Sequence, residues 1–260
     1  MSIQKQLWTF ISHELNLNSK TISLKENEHH YAFHVLRIAE ADAVEVTNCK
    51  GIKAKGVVEK SSKKEVVIKI VEIIVEEISK PKVALILAYP KPATLEEVVS
   101  SASELGVNEI HIFKADKSAT KAPIKLEKLK IVSDEAVRIS KSSYSAELFA
   151  YENLTSVVEK LELKKNKENL ILFCDESHVY EGKITNSILS KLNENFQNNM
   201  QNIYIIIGPE ASFSDSERSI LTNKVQAIPV SLGNNILRVP NAVLSALGVV
   251  LNYKNDLKTI

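Results

Sequence analysis

A chain of 260 residues with 44% apolar and 25% charged residues has the material for one large domain or two small ones around a sizeable core. Its formal net charge of +1 excludes any argument for a nucleic-acid partner from net charge, so such a site has to be a local patch. Two cysteines, Cys49 and Cys174, make neither a disulfide framework nor a metal-ligand spacing and suit a reducing cytoplasm. No apolar run reaches membrane-spanning length, and the stretch MSIQKQLWTFISHELN lacks the apolar core of a signal peptide.

In chain order, the first pattern is an alternation beginning at Asp42. Val44 and Val46 share one side, Asn48-Cys49-Lys50-Gly51 reads as a turn, and Ala54 to Val58 follows. After a polar turn at Ser61 to Lys64, Val66, Ile68 and Ile70 recur at period two. These are short antiparallel strands joined by turns, as in a small barrel or sandwich. ISKPK, residues 78–82, marks a boundary, which divides the chain into 1–78 and 79–260. Beyond it the period changes. VALILAY (83–89) is continuously apolar, as a strand covered on both faces should be. Thr94-Leu95-Glu96-Glu97 has the form of a capping box, and Leu95, Val98, Val99, Ala102 and Leu105 form a helical stripe ended by Gly106. Ile110–Phe113 reads as a strand. Leu126, Leu129, Val132, Ala136 and Ile139 read as a helix, and Leu170–Cys174 as a strand. Ile184, Ile188, Leu192 and Phe196 make another helix, and Tyr204–Ile207 a strand. Ser214-Asp215-Ser216-Glu217 is a second capping box. Ala227–Leu232 is the last strand, and a helix opens near Pro240. Strands alternating with helices predict a mostly parallel sheet with helices on both faces.

Much familiar chemistry is missing. With seven glycines, no two within three residues of each other, the chain carries neither GxGxxG nor a Walker A loop; GxSxG and HExxH are absent too. His29, His30 and His34 can share a helical face, but the spacing offers no further ligand, so no metal is expected. What remains lies where open parallel sheets bind ligands, beyond the carboxyl ends of strands. Two such ends carry glycine: IIIGPEASFSDSE (205–217) and SLGNNILR (231–238). Glycine there permits positive φ or close approach to a ligand.

IGPEASFSDSE followed about twenty residues later by LGNNILR and an apolar helix resembles the RsmE family of bacterial small-subunit ribosomal RNA methyltransferases. HHYAFHVLRIAEADAVEV (29–46) and PKPATLEEVVSSASELGVNEI (90–110) are similar to other segments of that family in the same order. The resemblance implies an α/β fold: a small PUA-like β-barrel that binds RNA over 1–78, then a SPOUT methyltransferase domain with a deep trefoil knot over 79–260. It also implies a homodimer acting in the cytoplasm on the 16S ribosomal RNA of the small subunit or the 30S particle, with no membrane. S-adenosylmethionine is the implied cofactor, held by Leu172, Ile207, Gly208, Pro209, Glu210, Ser231, Leu232, Gly233, Asn235, Ile236 and Leu237.

The implied reaction methylates N3 of a uridine. Arg238 is the implied catalytic residue, its guanidinium facing the uracil oxygens as the imide loses its proton. RNA contacts are expected from Arg37, Lys53, Lys55, Lys117 and Lys121. The last two belong to a run of six lysines over 114–130 set against Asp116 and Glu127, a local excess of four positive charges. Several polar positions depart from the family. Ala211 and Ser212 replace two glycines, and Val239-Pro240-Asn241 replaces a Thr-Glu-Thr-like segment. Lys117 replaces an arginine, and in Arg138-Ile139-Ser140-Lys141-Ser142 only Ser140 matches the family's Glu-Gln-Ser box. These departures leave open a non-catalytic RNA-binding or assembly protein on the same fold, or methylation at another RNA site.

Overall fold

The computed structural model describes residues 7–118, 120, 122–176, 186–197 and 199–256. By contacts the chain divides into two units: residues 1–78 with 137–145, and residues 79–136 with 146–260.

The first unit is a five-stranded sheet. Its strands are β1 (Trp8–Ile11), β2 (Thr21–Leu24), β3 (Ala43–Thr47), β4 (Ile52–Ser61) and β5 (Val66–Val75), in the order β1-β3-β4-β5-β2. The alternation read from the sequence is the packing pattern: Val44, Val46, Val66 and Ile68 are all fully buried, joined by Phe10 and Ile22 from the two strands that the sequence reading did not foresee. β1 runs parallel to β3; the other pairs are antiparallel. The Asn48–Gly51 turn closes on itself, Asn48 Oδ1 accepting the N–H groups of Lys50 (2.8 Å) and Ile52 (3.0 Å). A short helix, α1 (Glu26–His30), runs on into a wider π-type turn over Tyr31–Leu36.

Segment 137–145 belongs to this unit through specific contacts. Arg138 pairs with Glu28, donates to the carbonyl of Thr9 (3.1 Å) and lies 4.8 Å over the Tyr31 ring. Lys141 Nζ donates to Thr9 Oγ1 (2.8 Å), and the Tyr144 hydroxyl donates to the carbonyl of Glu76 (2.6 Å).

The second unit is a six-stranded, all-parallel sheet. Its strands are β6 (Lys82–Ala88), β7 (Glu109–Phe113), β8 (Glu147–Tyr151), β9 (Asn169–Cys174), β10 (Asn202–Ile207) and β11 (Ile228–Val230), in the order β11-β9-β10-β6-β7-β8. Its helices are α2 (Pro92–Glu104), α3 (Leu126–Ser140, whose end enters the first unit), α4 (Leu154–Lys160), α5 (Ile188–Asn195), α6 (Asp215–Ser219) and α7 (Val239–Asp256). Val83, Leu85 and Leu87 of β6 face one core, shared with α2, α5 and α7. Ala84, Ile86 and Ala88 face the other, shared with α4 and the turn after α6. Burial on both faces explains the uninterrupted apolar run.

Several local expectations need correction. Thr94 does not cap α2. Pro92, with its fixed φ, opens the helix three residues earlier than a Thr94 cap would, and the N-cap Lys91 makes no side-chain cap bond. Ile139 is exposed, and Val137 is the buried residue near the end of α3. The last strand is shorter than 227–232, and the helix around Ile188 is described only from Ser187 onward, so Ile184 lies outside the described residues. The capping box at Ser214 forms in full, the Ser214 and Glu217 side chains each taking the other's backbone N–H.

Candidate active site

The carboxyl ends of β9, β10 and β11 and the start of α7 enclose a cleft of about 540 Å³, inside the ~300–1,000 Å³ range of small-molecule sites. Its apolar base is made by strand ends: Cys174, Ile207 and Val230. Gly208 to Ser212 form one wall, Leu232 to Arg238 the other, and Val239 and Ala242 close it from α7.

The wall after β10 is held from several sides. A Cβ on Gly208 would stand 2.9 Å from the Phe213 ring, so only glycine fits without moving that buried side chain. Glu217, itself buried, accepts the N–H groups of Ser214 (2.9 Å) and of Asp116 (3.1 Å), the latter in the loop after β7. Asp116 in turn accepts from Ser214 Oγ (2.5 Å) and Ser216 Oγ (3.0 Å). Asp175, at the end of β9, pairs with Arg218, which also donates to Ser212 Oγ (2.6 Å). Ser212 has a φ of +66°, a left-handed conformation that glycine adopts more cheaply.

The wall after β11 is open. Ser231 Oγ accepts the N–H of Gly233 (3.1 Å) and donates to its carbonyl (2.9 Å), a turn that needs the glycine's φ of +129°. A Cβ there would meet no atom within 4 Å, so this glycine is required by backbone conformation and not by packing in the protein. Among the described residues, the backbone N–H groups of Leu232, Asn235 and Ile236 donate to no protein acceptor. Arg238 lies at the mouth, exposed. Its carbonyl accepts from Ala242 N–H (2.9 Å) at the start of α7, and its guanidinium has no partner among the described residues. This is an apolar slot with unpaired backbone donors along one side and a free guanidinium at its mouth. It suits a flat, heteroatom-rich ligand beside a group that develops negative charge.

Most residues expected at the site meet in this cleft: Ile207, Gly208, Pro209 and Glu210 on one wall, and Leu232, Gly233, Asn235, Ile236, Leu237 and Arg238 on the other. Leu172 does not line it. That residue lies fully buried inside β9, and the cleft is reached two residues later, at Cys174, Asp175 and Glu176. Ser231 also lies off the lining and acts through the turn at Gly233. The rule that ligands sit beyond strand ends could have found Asp175 and Glu176. Burial, its largest cause, pushes the Cys174 thiol far above the usual range, so it is no nucleophile at neutral pH.

The lysines fare differently. Lys53 Nζ donates to the carbonyl of Lys141 and lies 3.4 Å from Glu76, and Lys55 pairs with Glu72 at 2.9 Å. In the run over 114–130, Lys114 pairs with Glu152, Lys128 with Glu96 and Lys130 with Asp134 one turn on, so acids outside the run offset much of the local excess. Lys117 Nζ lies 3.4 Å from the carbonyl of Phe213, and Lys121 is outside the described residues. Among the described residues no group of three or more His, Cys, Asp or Glu side chains is placed to hold a metal ion, and no helix is long and apolar enough to cross a membrane.

The RNA methyltransferase domain family matches residues 77–251, the whole parallel sheet and its cleft. The chain belongs to that family. A second match, to the RNA methyltransferase PUA domain, covers residues 24–71 of the first unit. Ribosomal RNA small subunit methyltransferase E of Bacillus subtilis is 26% identical over 245 residues, 91% of each chain. A putative methyltransferase from Legionella pneumophila, solved with the cofactor SAM bound, superposes with a TM-score of 0.78 at 22% identity, covering 96% of this chain and 98% of its own. A ribosomal RNA small subunit methyltransferase E from Neisseria gonorrhoeae, bound to S-adenosyl methionine, gives a TM-score of 0.77 at 17% identity and covers 95% and 98%. At these identities the two structures speak for a shared fold.

Proposed function

We propose that the protein transfers the methyl group of S-adenosylmethionine to N3 of a uridine in 16S ribosomal RNA. The carrying observation is the cleft itself: unpaired backbone donors at Leu232, Asn235 and Ile236, and a guanidinium on Arg238 with no partner among the described residues. The relatives' names give ribosomal RNA of the small subunit as their substrate. The residues fit the cofactor, because the open space at Gly233 and the free N–H groups leave one wall able to receive an adenine edge. Bound there, S-adenosylmethionine supplies an electrophilic methyl carried on a sulfonium.

The protein's own groups do the rest. Arg238 offers a planar fork to the uracil oxygens and stabilises the charge that appears as N3 loses its proton. Asp175 is committed to Arg218, which leaves Glu176 and Glu210, both on the cleft and without a cation partner among the described residues, as the carboxylates placed to take that proton. Residues 1–78 act as the RNA-binding domain and 79–260 as a SPOUT-type methyltransferase domain. The chain after β11 is threaded as a trefoil knot, and α7 serves a homodimer in the cytoplasm.

The test is twofold. S-adenosylmethionine should raise the melting temperature by mass action. The protein should also transfer labelled methyl to small subunits from cells that lack it, with the label mapped to N3 of one uridine. Cofactor binding without transfer would favour the non-catalytic RNA-binding reading. No binding at all would overturn the proposal.

A further inference from the structure

The chain's four arginines fall into two classes. Arg138 and Arg218 are locked on carboxylates, Glu28 and Asp175. Arg37, like Arg238, is exposed, and its side chain has no partner among the described residues. Arg37 ends the π-type turn over Tyr31–Leu36 with φ +52° and ψ +45°, a left-handed conformation disfavoured for a residue with a side chain. Strain of this kind persists where surroundings over-determine it, often at binding sites. Beside Arg37 is a hollow of about 390 Å³ whose lining is Phe33, His34, Arg37 and Ile38. Phe33 is half-buried, its ring stacked on His29 with centroids 6.0 Å apart and planes 13° apart, and it meets the exposed His34 edge-on at 5.0 Å. His29 is anchored in turn, Nε2 lying 3.1 Å from the carbonyl of Ser62.

We propose that this hollow takes one unpaired base of the RNA substrate, stacked on one of the two perpendicular rings, Phe33 or His34, and edge-on to the other, while Arg37 holds its edge or the adjoining phosphate. The observations favour RNA over a generic anion because each part serves a different face of a nucleotide. Planar rings offer stacking, which every base accepts; a free guanidinium offers the fork that base edges and phosphates share. A phosphate alone needs no aromatic ring. The lysines expected to bind RNA in this unit, Lys53 and Lys55, are held by Glu76 and Glu72, so Arg37 is the cation of that set left to do it. The inference rests on the RNA-methyltransferase reading for the identity of its ligand, and it names a contact separate from the methyl-transfer cleft.

The experiment measures binding of the full chain to two probes of equal length and charge: a single-stranded oligouridylate and its abasic counterpart. The expected result is a preference for the oligouridylate. Phe33→Leu and the surface variant His34→Ala should abolish that preference, weakening oligouridylate binding by roughly fivefold to a hundredfold, the scale of one stacked base. Arg37→Gln should weaken both probes. Melting curves check that Phe33→Leu folds; His34→Ala carries the test if it does not. Equal binding of the two probes by the wild type, or an unchanged preference in His34→Ala and a folded Phe33→Leu, overturns the proposal. Methyl transfer is measured in parallel with unmodified small subunits. A base preference without transfer would sink the enzymatic reading and leave the hollow standing; transfer without a base preference would do the reverse.

Discussion

The two walls of the cleft are built by opposite means. The loop after β10 is fixed before any ligand arrives: Gly208 packs under Phe213, Glu217 ties it to Asp116, and Arg218 bridges Ser212 to Asp175. The loop after β11 carries the serine turn at Gly233, the bond from Ser231 N–H to the carbonyl of Asn186 (3.0 Å) and the first bond of α7, and its Ile236 is 52% exposed. Fixed dipoles cost nothing to orient at the moment of binding, whereas an open loop costs ordering entropy that the ligand must offset. The pairing therefore reads as a densely braced wall facing a more sparsely braced one. Arg238 stands between the loop after β11 and α7.

The sharpest way to break this comparison is Arg238→Ala. Charge grows on the base only as the methyl moves, so turnover should fall by one to three orders of magnitude, roughly 1.4–4 kcal/mol, while cofactor affinity stays nearly unchanged. Arg238→Lys should restore only part of the loss, because an ammonium lacks the fork. Single-turnover kinetics and calorimetry separate the two quantities. Equal turnover in wild type and Arg238→Ala would remove the open wall from the chemistry.

On the fixed wall the corresponding change is Glu217→Ala. It removes a capping box and orphans the N–H groups of Ser214 and Asp116 beside a buried site. A stability loss of about 2–3 kcal/mol is expected, read from denaturant unfolding. Cofactor affinity should fall with it, since the wall loses one of its tethers to the loop after β7, the bonds from Ser214 and Ser216 to Asp116 remaining. A loss below about 0.5 kcal/mol, the scale of an ordinary surface change, would show that the wall is not held as described.

The two glycines divide in the same way. Gly208→Ala drives a Cβ into Phe213 and should cost about 1–3 kcal/mol of stability through overpacking. In Gly233→Val the added Cβ meets open space in the protein, but the change forces a side chain onto a φ of +129°. The smaller global loss, about 1–2 kcal/mol, should come with a cofactor affinity reduced at least tenfold, because the turn that presents the free N–H groups is distorted. Melting curves with and without S-adenosylmethionine distinguish the pair. If both variants lose stability and affinity in equal proportion, the contrast between the walls fails.

How far the sequence foretold this differs between scaffold and site. Period-two burial in β3 and β5 and the apolar run of β6 were legible because solvent exclusion writes itself directly into residue type. β8, a half-exposed edge strand reading ELFAY, and the seven-residue α4 carry no clean period and were missed. Thr94 was read as a cap because TLEE satisfies the pattern locally, while Pro92 decided the start. At the site, Gly208 and Gly233 were legible as glycines at strand ends. Asp175 with Arg218 was not, since the partners are 43 residues apart and nothing local pairs them. The lysine run misled for the same reason: Glu96 and Glu152, which pair with Lys128 and Lys114, lie outside the window in which charge was counted.

The smallest expected effect tests a single residue where this chain differs from the family pattern. Ser212 occupies a left-handed position, φ +66°, where the resemblance expects glycine. Ser212→Gly should relieve about 1 kcal/mol of backbone strain, offset by the greater entropy of the unfolded glycine chain, about 0.5–1 kcal/mol. It also deletes the hydroxyl that accepts from Arg218 at 2.6 Å; partial exposure and the retained Asp175 partner bring the loss below the ~1.5–3 kcal/mol of a bond to a charged group, to about 1 kcal/mol. These terms leave stability within about 1 kcal/mol of wild type. The informative change is in the guanidinium: Asp175 still holds it, but one of its two anchors on the fixed wall is gone. If that wall owes its rigidity to the bridge from β9, cofactor affinity should drop severalfold with the melting temperature almost unmoved. An affinity equal to wild type would assign the rigidity to Gly208 and Glu217 alone and make the serine a neutral replacement.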